Sequence, residues 1–507
     1  MRLLAPTLGR VRRELAIQSL AEFVKQSWHV IEPGTPLVWN WHLDVICDHV
    51  QALVEGRLGK QNLIINVPPG SMKSTILSVC LPAWRWASDP SWRGLFVSGS
   101  EGIAIRDSIK CRDIIDSEWY QQTFTPEWSF ARDQNAKGHY KNTATGFRKA
   151  ISAGARITGE RGHIIVVDDP NDAAEAFSKP ARDSIIQWWD NAAANRLLNL
   201  STGHRVIIQQ RLHGQDLTGH IQSTDKQDWD FLIIRQEWEP PQPTDPDFHP
   251  TSLGWVDPRT VEGDLFFPQR FPPTVVEGEK RRLASSGYAG QHQQRPTPAE
   301  GAIFKKGFIK RYRVGAEPRF SRIILTADTA FKEKEENDYT VVFAIGEAEN
   351  GFYFLARAKG RMGYPEMKQK VRDMGESYRP TGLLTAFLIE DAASGQSLIQ
   401  ELKADTTLPV VPVRPDGDKV SRANSVVPSY EAGNWFLPEG EGADWVDDFL
   451  NQLYGFPKMA HDDDVDSAVQ GVKYLNLGGG NTGMLDWLRS EAEALKKPNK
   501  SIEEQES

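Results

Sequence analysis

The chain has 507 residues, 39% hydrophobic and 25% charged, a length that calls for two or three domains and a composition typical of globular protein. Its formal net charge of −9 excludes a chain that binds nucleic acid through overall charge, so any such surface must be local. No apolar run approaches the ~20 residues that span a bilayer, which argues against a membrane protein. The basic N-terminus lacks the apolar core of a secretory signal. Cys47, Cys80 and Cys111 stand far apart, which argues against a zinc site or a disulfide framework and fits a reducing compartment.

Along the chain, Leu15, Leu20, Phe23 and Val24 recur at helical spacing over residues 14–27, and a second helix is predicted over 40–54, ending at Gly56 and Gly59. Apolar runs at 63–67, 94–98, 164–167, 204–209 and 231–235 alternate with helix-length segments, the pattern of a parallel α/β sheet buried on both faces. Prolines then crowd between Pro240 and Pro273, which disfavours regular structure and reads as a surface connector, followed by a helix over 273–294. Basic clusters at 280–282 and 305–313 read equally well as solvated faces. A second α/β pattern follows, with strands over 323–327, 340–345, 352–358 and 384–389 and a helix over 364–378. Gly478, Gly479, Gly480 and Asn481 form a flexible break before a short amphipathic helix and a charged tail.

The most informative stretch joins the run 63–67 to Pro68, Pro69, Gly70, Ser71, Met72, Lys73, Ser74 and Thr75. Strand, tight loop and helix start suit phosphate, because backbone N–H groups point at the ligand, lysine adds a point charge and a hydroxyl can complete a Mg²⁺ shell. The usual spacing has glycine where Val67 and Met72 stand, which leaves Gly70 to supply the φ > 0 geometry. A buried strand followed by an ordinary loop fits this stretch alone equally well. Asp168 and Asp169 close the run 164–167; in a P-loop ATPase the first acid would hold Mg²⁺ and the second would activate water. The other reading is an acidic turn before Pro170. Arg156 and Arg161, in a glycine-flanked segment, suit an arginine finger reaching a neighbour's γ-phosphate, or plain surface arginines. Gln209, Gln210 and Arg211 end a further strand with amides placed to sense that phosphate. Trp39, Trp41 and His42 fit an adenine pocket less well than an aromatic core.

In the second pattern Asp328 ends one strand, Glu390 and Asp391 end another, and Asp462, Asp463 and Asp466 open a helix. Carboxylates so placed can converge on a pair of Mg²⁺ or Mn²⁺ ions, as in RNase H-like nucleases, and no cysteine or histidine cluster competes. An acidic helix start is also favourable capping. Asp338 is an accessory candidate or a turn residue.

The order of five pieces resembles the large terminase subunit of tailed bacteriophages. They are Pro68 to Ser74, Val167 to Pro170, Gln209 to His213, Ile389 to Gly395, and His461 to Asp466. The resemblance spans roughly residues 39–474. It implies an N-terminal P-loop ATPase domain of the ASCE/RecA-like type and a C-terminal RNase H-like nuclease domain. The implied organisation is a helical segment 1–60 packed on the ATPase, an ATPase core 61–238, a connector or lid 239–318, a nuclease 319–477 and a tail 478–507. By similarity, Gly70, Ser71, Met72, Lys73, Ser74 and Thr75 cradle ATP, Ser74 and Asp168 hold Mg²⁺, and Asp169 is the catalytic acid. Gln210 lies in the coupling segment, and Arg156 or Arg161 is the trans finger. Asp328, Glu390 and Asp391, with one or more of Asp462, Asp463 and Asp466, form the nuclease metal set, and Asp463 is the catalytic candidate of the acidic triplet. Lys419 and Arg422 become DNA contacts. Met72, where glycine is commoner, and Asp169, where many relatives carry glutamate, depart from the pattern.

The function this implies is ATP-driven translocation of double-stranded DNA into a prohead, with metal-dependent cutting of concatemers in the host cytoplasm. Its partners are portal, small terminase subunit and further copies in a ring, with no membrane. A helicase-nuclease of repair or restriction needs strand-separation motifs after Arg211, where the proline-rich segment stands instead. A non-catalytic DNA-binding scaffold is opposed by the intact Lys73, Ser74, Asp168, Asp169 and Asp328.

Overall fold

Along each N-terminal apolar run, successive side chains enter two different cores. Leu63 and Ile65 face one, with Phe96, Val166, Val206 and Ile208, while Ile64 faces the other, with Leu95, Val97, Val167 and Ile207. A strand buried on both faces leaves no position for a polar residue, which is why these runs are continuous rather than alternating.

The computed structural model describes residues 8–157, 159–173, 175–243, 245–296, 303–328, 340–360, 364–391, 393–414, 417–457 and 462–477. The chain forms two units, Met1–Ala299 and Glu300–Ser507. Asp338, His461 and the tail from 478 lie outside the described residues.

The first unit is built on eight strands: β1 (Asn62–Asn66), β2 (Arg93–Ser98), β3 (Phe130–Ala136), β4 (His139–Asn142), β5 (Phe147–Ser152), β6 (Ile164–Asp168), β7 (His204–Gln209) and β8 (Trp229–Ile233). Their order is β3-β4-β5-β2-β6-β7-β1-β8. From β5 to β8 all neighbours are parallel, whereas β3, β4 and β5 pair antiparallel. The expected parallel sheet therefore gains an antiparallel extension, whose mixed polar sequence hides it from a search for apolar runs. β7 runs between the acid-bearing strand β6 and β1.

The helix predicted over 14–27 is two helices, Leu8–Gln18 and Leu20–Ile31. Ser19 is extended (φ −137°) and accepts a hydrogen bond from the Glu22 N–H, so a serine followed three residues later by glutamate restarts the helix.

The segment expected as one connector over 239–318 is divided. Its first part is mostly irregular and ends in the helix Pro273–Gln291 of the first unit, while Lys310–Arg313 forms a strand of the second sheet. That second sheet contains β9 (Lys310–Arg313), β10 (Arg322–Asp328), β11 (Thr340–Ala348), β12 (Gly351–Gly360), β13 (Leu384–Glu390), β14 (Val410–Val413) and β15 (Trp435–Glu439). The order is β14-β13-β10-β11-β12-β15-β9, with β10, β11 and β12 antiparallel and the other pairings parallel. Leu325, Ala327, Phe387 and Ile389 pack on one face with Met367, Val371, Leu398 and Leu402 of the helices Tyr364–Tyr378 and Ala393–Asp405. No helix among the described residues is long and apolar enough to cross a membrane.

Candidate active sites

The loop after β1 begins where Val67 still donates its N–H to the Gln209 carbonyl, 3.3 Å away. Gly70 (φ 75°) and Met72 (φ 61°) are both left-handed. The loop does not turn on Gly70 alone, because Met72 takes the conformation normally left to glycine, at the cost of local strain. Lys73 opens the following helix, which passes through a widened π turn at Thr75–Cys80 into Leu81–Ser88. The wide turn ends just before Pro82, which has no N–H to offer the ladder.

β6 and β7 deliver the polar residues to this loop. Lys73 Nζ lies 2.9 Å from Asp169 Oδ1, which also accepts the Gln210 backbone N–H at 3.0 Å. Asp169 is itself left-handed (φ 43°). Asp168 is buried and accepts from Ser78 Oγ at 3.2 Å. Burial first, then the neighbouring Asp169, pushes its carboxyl up to about 7, opposed by the Lys73 charge and the Ser74 hydroxyl. Asp107, on the helix Glu101–Asp116, adds to that upward push and carries no motif that would reveal it.

The hydroxyl of Ser71, Oδ1 of Asp168 and Oε1 of Gln210 are buried without hydrogen-bond partners among the described residues. Buried polar atoms left in this way suit a polar ligand, and hard oxygen donors at Ser74 and Asp168 suit Mg²⁺. Beyond Gln210, Arg211 and Asp216 form a buried ion pair (2.8 Å), and Asp216 caps the helix Leu217–Thr224 by accepting the Gly219 N–H. The segment read from sequence as coupling is thus locked to a helix start.

Arg156 is exposed in the loop before β6, and Arg161 donates to the Leu197 carbonyl at 3.2 Å. Among the described residues no hydrogen bond or ion pair joins either arginine to the phosphate loop, Asp168 or Asp169. Trp41 and His42 take the core reading: Trp41 stacks on Trp255, and His42 is buried with its ring 4.9 Å from Phe266 and 5.1 Å from Phe267. Burial lowers the His42 pKa to about 4, partly offset by a hydrogen bond with the Ser71 backbone.

In the second unit, register and pleat decide which acids meet. β10 and β13 run parallel with Ala327 opposite Ile389, so Asp328 and Glu390 leave the sheet side by side. Both lie on the face opposite Leu325, Ala327, Phe387 and Ile389. The helix Asp463–Leu477 covers that face. Ser467 Oγ donates to the Thr326 carbonyl and Thr326 Oγ1 to the Ser467 carbonyl, each at 3.1 Å. A methyl group at Gly471 would lie 2.6 Å from Ile345 Cδ1 and 2.9 Å from Thr326 Cγ2, so a side chain there would force the helix or these residues to shift. Asp463 and Asp466, just N-terminal to Ser467, are thereby brought to Asp328. Burial first, then Asp466, Glu390 and Asp463, pushes the Asp328 carboxyl up to about 8, with Lys419 opposing.

Asp391 departs from the expected set. One residue past Glu390, it turns to the other side and meets Arg414 Nε at 3.4 Å and Gln396 Nε2 at 3.3 Å. Asp462 accepts from Lys419 Nζ at 2.6 Å, and the same ammonium lies 2.7 Å from Asp466 Oδ2. Arg422 Nη2 stands 3.4 Å from Asp466 Oδ1. Lys419 and Arg422 therefore face the acids. Asp464, between these residues in sequence, is fully buried against Arg357 and Lys359 and serves the fold. Asp328, Glu390, Asp463 and Asp466 fit Mg²⁺ or Mn²⁺ as a hard, mutually repelling donor set. Among the described residues no three such groups are arranged as a finished ion site.

Residues 325–474 match the family described as the terminase RNaseH-like domain. That stretch lies within the second unit and gives it an RNase H-like fold. The large terminase of a thermophilic bacteriophage, in one crystal form, superposes with a TM-score of 0.50 at 11% identity, covering 90% of this chain and 99% of that one. The same phage protein in complex with ADP gives 0.48 at 11% identity, with the same 90% and 99% coverage. The HK97 bacteriophage large terminase gives 0.36 at 11%, again covering 90% and 99%. No curated protein matches. The whole chain shares the mixed α/β fold of that phage large terminase.

Proposed function

We propose that this chain is a large terminase that hydrolyses ATP to drive double-stranded DNA into a prohead, and cuts concatemeric DNA with a divalent cation. The reading rests on one observation above the rest: a single chain carries Lys73 paired to Asp169 at a phosphate-type loop, and separately gathers Asp328, Glu390, Asp463 and Asp466 at the end of an RNase H-like sheet. In the first unit Lys73 and the loop N–H groups would bind the phosphates of ATP, Ser74 and Asp168 would hold Mg²⁺, and Asp169 would orient and deprotonate water. Arg156 or Arg161 would act on a neighbouring copy in a ring. In the second unit the carboxylates would hold Mg²⁺ or Mn²⁺, which stabilises charge on the attacking and leaving oxygens of a phosphodiester. Portal and small terminase subunit are the partners this activity requires, in the host cytoplasm.

Separation of the two activities tests the proposal. Lys73→Ala should abolish ATP hydrolysis and packaging while retaining plasmid cleavage with Mn²⁺, and Asp328→Ala should do the reverse. Undiminished cleavage by Asp328→Ala would remove the nuclease assignment.

A further inference from the structure

The segment before the helix Pro273–Gln291, read from sequence as connector, reaches back onto the phosphate loop. Asn40 Nδ2 donates to the Phe266 carbonyl at 2.8 Å, and Phe266 donates its own N–H to the Gln236 carbonyl at 2.9 Å. Phe266 and Phe267 enclose His42, whose pKa responds to the Ser71 backbone, and Phe271 stacks on Phe266 at 5.6 Å. The Phe267 carbonyl then accepts the N–H groups of Arg270 (3.1 Å) and Phe271 (2.9 Å), closing a tight turn.

This turn sets Arg270 against the loop. A methyl group at Gly70 would lie 3.2 Å from Arg270 Nε, 3.3 Å from Arg270 Nη2 and 3.3 Å from Phe271 Cζ. Arg270 is exposed, its guanidinium lies 5.7 Å from the Phe271 ring centre, and it enters no ion pair among the described residues. A cation that could reach solvent is instead stationed, without a carboxylate, beside a loop shaped for phosphate. A guanidinium offers five donors in a planar fork that matches phosphate oxygens two at a time.

We infer that Arg270 is a phosphate-binding residue of the same chain's nucleotide site, closing over the loop at Gly70 and contacting the terminal phosphate of ATP. This rests on the ATP reading of the site. It assigns a role in cis to an arginine some 200 residues from the loop in sequence, distinct from the trans role proposed for Arg156 or Arg161. It also gives Gly70 a second reason to be glycine, since any side chain there would displace the arginine.

The test uses the full chain, with equilibrium binding of fluorescent ATP and ADP analogues and steady-state ATP hydrolysis. Arg270→Met keeps the stem that packs on Phe271 and removes the charge. It should weaken ATP at least about tenfold, as expected for loss of a charge-assisted hydrogen bond to phosphate. ADP affinity should change much less, and Arg270→Lys should restore part of the ATP affinity. Wild-type binding of both nucleotides by Arg270→Met, with binding lost in Lys73→Ala, would overturn the role of Arg270 and leave the ATP site standing. Failure of the wild-type chain to bind ATP at all would overturn both. Equal weakening of ATP and ADP would also overturn the assignment to the terminal phosphate.

Discussion

Lys73 Nζ sits 2.9 Å from Oδ1 and 2.8 Å from Oδ2 of Asp169, so the phosphate-loop ammonium is gripped by the acid that ends β6. The same carboxylate takes the Gln210 N–H from the end of β7, the strand between them. A single residue thus joins three strand ends. Asp169→Asn keeps this geometry and removes the base, so ATP hydrolysis should fall at least ~100-fold with little loss of ATP binding. Parallel binding and turnover measurements check it, and turnover within a few-fold of wild type would remove Asp169 from the chemistry.

Met72 holds φ 61° in the phosphate loop, a conformation glycine adopts freely and branched side chains resist. Met72→Gly should bind ATP as well as wild type, whereas Met72→Val should lose binding, through strain of ~1–3 kcal/mol. Titration of the two variants with a nucleotide analogue decides this, the opposite order of affinity being the failing result.

His42, His213 and His292 each have a pKa lowered to about 4, in every case chiefly by burial. All three lie in the first unit. Below the unfolded value of about 6.5 the unfolded chain gains protons that the folded unit refuses, so stability is full above that pH and declines toward pH 4. Asp168, raised to about 7, and Asp48, also raised, act in the opposite sense, but burial lowers His49, His139, His163 and His204 as well, so the histidines outweigh them. The urea midpoint of this unit should be lower at pH 5 than at pH 7.5, and equal midpoints would sink the idea.

Asp463, Asp464 and Asp466 sit within one helical turn and divide their work. Asp464→Ala removes the buried carboxylate that Arg357 and Lys359 share and leaves them paired to the more exposed Asp448, so the second unit should lose ~1–3 kcal/mol. Asp466→Asn should abolish metal-dependent cleavage while leaving thermal unfolding nearly unchanged. Melting curves and plasmid cleavage on both variants test the split, and matched phenotypes would contradict it.

Gly471 lets its helix lie against Ile345 and Thr326. Gly471→Leu should push that helix off the sheet, costing ~1–3 kcal/mol and drawing Asp463 and Asp466 away from Asp328. Cleavage should then fall more than stability alone accounts for, as measured below the melting transition. Full activity would show that the acids are placed by something else.

The sequence by itself determined the parallel runs of the first unit, because a strand buried on both faces must be apolar throughout. It also determined the phosphate-type loop, the acid pair after β6 and the strand-end acids of the second sheet, since each sits where an apolar run stops. Only tertiary structure decided the rest. β7 separates β6 from β1, an order in space that no order in sequence encodes. Asp391 and Asp464 are acids like their neighbours, and only the pleat of β13 and the packing of the last helix turn them to Arg414 and to Arg357 and Lys359. Arg270 reaches Gly70 through a turn fixed by aromatic packing, a contact between residues far apart in the chain, where no local spacing could announce it.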